Sequence, residues 1–136
     1  DINKMDNAYK FNGICHEHLM KNRVSVIRDT NFVRPEDIHL YDEYFSVAKI
    51  ATRVSKSPIN TVRAYISGKY NGAVTDLLEP NHSGLFYPDI IENSKIPDDF
   101  AKRVMNCNKN CMDCGYCKQV MEDATITLDS TGLENY

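Results

Sequence analysis

Apolar positions recur along this chain with a spacing that changes several times, and each change predicts a new element. Val24-Ser-Val-Ile27 is a short β-branched run and predicts a strand, with Phe32-Val33 extending it or pairing with it after an Asp29-Thr30-Asn31 turn. From Pro35 the spacing lengthens. Ile38, Tyr41 and Phe45 fall at i, i+3 and i+7, which predicts a helix over about 35 to 44 with that stripe turned inward. Pro35 suits its first position, and Glu36 and Asp37 meet the positive end of its dipole. Ser46 to Thr52 is nearly continuous in apolar character, as expected of a strand covered on both faces. Ser57-Pro58 then opens a second helix, with Ile59, Val62 and Ile66 as its inward stripe and Gly68 closing it in a left-handed conformation. Strand, helix, strand, helix is a βαβα unit, α/β in class, and its crossover is expected to be right-handed.

Past Gly68 the pattern is less regular. A helical turn is expected at Val74 to Leu78, and Glu79-Pro-Asn-His82-Ser-Gly84 excludes regular structure. Leu85 to Ile91 is apolar enough to pack back on the domain, and Pro88 makes it a wrapping loop rather than a strand. Helices are expected from near Pro97, with Phe100 and Val104 on one face, and over Lys118 to Ala124, with Val120 and Met121 inward. Thr125 to Leu128 alternates like an edge strand. The chain therefore divides into an α/β scaffold with a wrapping loop over 1–93 and a helical, Cys-rich segment with an acidic tail over 94–136.

Composition narrows the classes. A chain of 136 residues suits one compact core, and 42% hydrophobic with 26% charged residues excludes a disordered or fibrous chain. The net charge of -3, with basic residues scattered, gives no footprint for nucleic acid or an anionic membrane surface. No apolar run approaches the roughly 20 residues of a membrane-spanning helix. The N-terminus, Asp1-Ile-Asn-Lys, has neither an initiator Met nor a secretory layout and reads as a fragment or a processed chain. Five cysteines, four of them clustered, do not form a secreted disulfide framework, which predicts a reducing, cytoplasmic setting and a role in metal binding.

The cluster is Cys107-Asn-Lys-Asn-Cys111-Met-Asp-Cys114-Gly-Tyr-Cys117. Zinc sites built from four Cys usually close from two chain segments, whereas a cubane iron–sulfur cluster accepts ligands fed in turn from one loop. The spacing therefore favours a 4Fe-4S cluster on Cys107, Cys111, Cys114 and Cys117, with zinc as the alternative. Gly115 would allow the backbone to approach such a cluster closely. The order differs from the bacterial ferredoxin run, and no Pro follows Cys117. Cys107, Cys111 and Cys114 also have the spacing of radical S-adenosylmethionine enzymes. Against that reading, Asp113 stands where an aromatic residue is usual and no barrel remains to be built after the cysteines. Cys15, His16 and His18 are further candidate ligands, but read better as a buried thiol and loop histidines, and His82 reads as a surface residue. Lys49 interrupts an apolar strand and Arg53 follows it, where strand ends in α/β folds meet ligands.

Phe32-Val-Arg-Pro-Glu-Asp-Ile-His-Leu-Tyr41, followed by Val47-Ala-Lys-Ile-Ala-Thr-Arg53 and the Cys-rich turn, resembles the C-terminal part of the collagenase-like peptidase-family proteins. The resemblance implies (β/α) barrels carrying an iron–sulfur cluster, with relatives that act in RNA or quinone hydroxylation. It also implies that Arg34, Lys49 and Arg53 sit at strand ends near a pocket and bind a cofactor there. A whole barrel needs roughly 250 residues. This chain is then either the last units of a partial (β/α) barrel, completed by the remainder of a larger enzyme, or a small α/β domain of its own. The leading expectation is an iron–sulfur domain of a redox or hydroxylating enzyme. The alternatives are a non-enzymatic, zinc-stabilised module meeting a protein partner and a portion of a radical S-adenosylmethionine enzyme.

Overall fold

A two-stranded antiparallel sheet joins the middle of the chain to its end: β1 (Asp89–Ile91) pairs with β2 (Thr125–Thr127), Ile90 opposite Ile126. The computed structural model describes residues 14–53, 55, 57–79 and 82–129. Around the sheet lie α1 (Ile14–Lys21), α2 (Ser25–Arg28), α3 (Pro58–Ser67), α4 (Phe100–Met105), α5 (Cys111–Cys114) and α6 (Tyr116–Ala124). Three 3-10 turns, Pro35–Tyr41, Val74–Asp76 and Asn93–Lys95, complete the described elements. Helix and sheet are both present, so the chain is of mixed α/β character, and no barrel exists among the described residues. One core draws on both expected segments, with Val26, Val74, Ile91, Phe100, Val120 and Ala124 at its centre.

The elements of the C-terminal third follow the apolar pattern closely. α6 turns Val120, Met121 and Ala124 into the core, and the alternating run after it forms β2. Leu85 to Ile91 packs back as expected, with Leu85, Phe86, Ile90 and Ile91 buried, and ends in a strand because β2 supplies a partner for its backbone.

The βαβα unit is corrected. Val24 to Ile27, expected as a strand, turns into α2, with Ser25, Val26 and Ile27 all buried. A four-residue β-branched run hides the same surface in either conformation. The decision falls to its neighbours: Val24 and Ser25 carbonyls accept helical bonds from Arg28 and Asp29, and α6 offers an apolar face to pack on. Ser46 to Thr52 forms no strand, and Val47 is 82% exposed, because no described segment pairs with it or covers it.

The expected helix over 35 to 44 is a 3-10 helix ending at Tyr41, with Pro35 at its first position. Its buried face carries Pro35 and Asp37, while Phe45 points outward at 66% exposure. The guanidinium of Arg34 donates from Nε to Asp37 Oδ2 at 2.6 Å, from Nη2 to Oδ1 at 3.1 Å, and to the carbonyls of Ile96 and Pro97, each at 3.2 Å. Glu36 Oε1 accepts from Tyr70 N and from Asn93 Nδ2, both at 2.8 Å. The Arg34-Pro-Glu-Asp37 turn is thus fastened to residues 70 and 93–97 by charge-assisted bonds.

α3 keeps its expected start and stop, Pro58 at its first turn and Gly68 left-handed at φ 63°. Its stripe does not face the core: Ile59 is 64%, Val62 38% and Ile66 81% exposed, while Thr61 and Ala64 are buried. The small residues let this helix approach the Pro35–Tyr41 turn closely, and Tyr65 Oη donates to Val33 O at 2.7 Å. A Cβ at Gly68 would meet only Pro35 O, at 3.9 Å, so Gly68→Ala is penalised by conformation and not by crowding. The expected loss is about 1 kcal/mol in urea denaturation.

Candidate metal centre

The cysteine segment is set between two anchored helices. α4 is held by buried Phe100 and ends at Asn106, whose Nδ2 donates to Lys102 O at 2.7 Å. The chain then reverses at Lys109, at a left-handed φ of 59°, where Asn108 Oδ1 accepts from Asn110 N at 3.1 Å. α5 follows, its first turn closed by Cys114 N donating to Asn110 O at 3.1 Å and by Asn110 Nδ2 donating to Asp113 Oδ2 at 2.7 Å. Gly115, left-handed at φ 64°, redirects the chain into α6. Its Cβ position is open, so the sign of φ, not space, selects glycine there. Tyr116 stacks on Phe100 at 6.0 Å between ring centroids, and the Arg103 guanidinium covers it at 3.6 Å.

Cys107, Cys111, Cys114 and Cys117 line one concavity of about 500 Å³ together with Arg28, Asp29, Thr30 and Asn31 of α2 and its following turn. All four are free thiols, three exposed and Cys117 half-buried. Burial pushes the Cys117 thiol up, and the neighbouring Cys111, Cys107 and Cys114 add to this by mutual repulsion, against the attraction of Arg28. Arg28 is itself raised, chiefly by its bond to Asp29, with Nε and Nη2 at 2.7 and 2.8 Å from the carboxylate oxygens. Among the described residues no three His, Cys, Asp or Glu side chains are already drawn together as a ligand set. The four cysteines share a concavity but are not drawn together as a ligand set. The donor chemistry fits a cluster better than a hard cation, since four soft sulfurs line the wall and Asp29 is its one carboxylate.

The three basic residues tied to the resemblance are dispersed. Arg34 is buried in its pair with Asp37 and borders a cavity of about 120 Å³, Lys49 is exposed on the wall of another of about 640 Å³, and exposed Arg53 borders neither. Cys15 is exposed on α1, not buried, and His16 and His18 lie on the same helix, not on a loop. His82, expected at the surface, is buried and faces His16 at 5.9 Å. Sequence reading missed it because the ring is covered by packing from distant segments.

Burial first, and the facing His16 second, hold His82 below its ordinary pKa of 6.5. The unfolded chain therefore takes up that proton more readily, so the contribution to stability is complete above the ordinary value and is lost as the pH falls below it. The melting temperature is expected to drop between about pH 7 and about pH 5, and His82→Gln should flatten that slope.

The fold and the thiol-lined concavity define a mixed α/β chain with a soft-ligand hairpin near its end. No known protein-family profile matches the chain, and no solved structure matches it. It is similar to an uncharacterized protease of Methanocaldococcus jannaschii, 29% identical over 115 residues. The match covers 81% of this chain and 33% of that protein, so the chain spans about a third of its length. This similarity is consistent with a link to a protease family. No helix among the described residues is long and apolar enough to cross a membrane.

Proposed function

We propose that the chain is a cluster-binding portion of a redox or hydroxylating enzyme, holding a 4Fe-4S cluster on Cys107, Cys111, Cys114 and Cys117. One observation carries the reading: four free thiols from a single stretch line a single concavity. When bound, the cluster supplies one-electron chemistry. The chain's own residues hold it: α4 and α6 fix the two ends of the hairpin, while Gly115 and Lys109 permit its two reversals. The similarity to a longer uncharacterized protease supports reading the chain as a portion of a protease-family protein. The resemblance to the C-terminal part of the collagenase-like peptidase-family, iron–sulfur barrel proteins rests on the Arg34 and Cys-rich motifs.

Protein purified without exposure to air is expected to be brown, with iron and acid-labile sulfide each at about four per chain. Colourless protein carrying stoichiometric zinc would replace this reading with a zinc-stabilised module.

A further inference from the structure

Although the chain as a whole carries a net charge of -3, the mouth of the thiol concavity is basic. Arg28, Arg103, Lys109 and Lys118 reach it from four different segments, and Asp29 is the one acid on its wall. These charges do not form the run of a solvated helix face, because the fold brings them together. Their partners offset part of this charge and leave Lys109 without a carboxylate in the lining beside it. Asp29 occupies Arg28, Arg103 lies flat on Tyr116, and Lys118 reaches Glu122 only at 3.9 Å in an exposed pair. Met112, between Cys111 and Cys114 on α5 and next to Asp113, is 95% exposed, and Met105 at the end of α4 is also exposed. An exposed methionine on the helix that also lends two cysteines to a basic-lined concavity has the make-up of a small transient interface, apolar and adaptable beside a charged edge.

We infer that this face docks a small acidic electron-carrier protein, which reads the basic rim and seats an apolar patch on Met112. The inference rests on the cluster reading and names the partner class for that site. A small anion would use the cations but leave the methionine in water, so the apolar tip favours a protein surface. Were a cluster held by the four cysteines, such a carrier would supply it with one electron from its own reduced cofactor, with no bond made or broken. Steering by rim charges raises the association rate and makes it salt-dependent.

The probe is an acidic [2Fe–2S] ferredoxin, titrated calorimetrically against the cluster-loaded chain at low and moderate salt, with basic cytochrome c as the control. Affinity for the ferredoxin is expected to fall about tenfold or more with added salt, and by a similar factor in Lys109→Glu/Lys118→Glu. Met112→Ser should weaken it further without changing its salt dependence, and cytochrome c should not bind. Iron content and melting temperature are read on every variant, and Lys109→Ala/Lys118→Ala serves where charge reversal upsets folding. Iron present with binding indifferent to salt and to these variants overturns the docking surface alone. Iron absent from the native chain overturns the cluster reading and this inference with it.

Discussion

Asp37→Ala is expected to lower the unfolding free energy by about 3–5 kcal/mol, a large fraction of the total for a domain of this size. Asp37 and Arg34 are both buried, and both carboxylate oxygens of Asp37 accept from the guanidinium. Removing the acid leaves a buried cation whose remaining partners are two carbonyls, those of Ile96 and Pro97. Those two bonds tie the Pro35–Tyr41 turn to the stretch leading into α4, so the loss should spread toward the cysteine hairpin. Urea denaturation would measure it. Arg34→Met/Asp37→Leu should recover most of the stability, because an apolar pair leaves no charge behind. A single variant as stable as the native chain would mean that water reaches the guanidinium.

Cys114→Ala is expected to reduce bound iron from about four per chain to below about one, because a cubane lacking one thiolate is poorly held. The residue is exposed and lies outside the core, so the fold itself should persist, with an unchanged far-ultraviolet dichroism spectrum. Cys15→Ala should leave the iron content intact, since Cys15 lies on α1 and is absent from the concavity's lining. Equal loss in both variants would assign the metal to scattered thiols and remove the hairpin from the account.

These two sites differ in how far the sequence reveals them. The cysteine hairpin is legible because its four residues are consecutive in spacing, so the chain alone brings them near one another. The elements around it are legible because Val120, Met121 and Ala124 carry the apolar period of their own helix straight into the shared core. The Arg34–Asp37 lock is not legible in the same way. The charges and Pro35 are visible, but their partners at residues 70, 93, 96 and 97 lie far along the chain. The strands expected at Val24 and Ser46 fail for one cause, since β-branched runs describe a preference and only a hydrogen-bonding neighbour turns it into a strand. Likewise the stripe Ile59, Val62, Ile66 has the period of a core-facing helix, yet Thr61 and Ala64 make the close contact. Period identifies an element; it does not say which side of that element meets the rest of the protein.

The hairpin between α4 and α6 begins and ends in residues that the core already grips, Phe100 on one side and Val120 on the other. The four cysteines therefore border one concavity on a framework that the core holds independently of any metal, unlike the ligands of small domains that are unfolded without theirs. If the proposed cluster is bound there, a chelator should strip it and leave the fold intact, since the grip on either side of the hairpin does not pass through the metal.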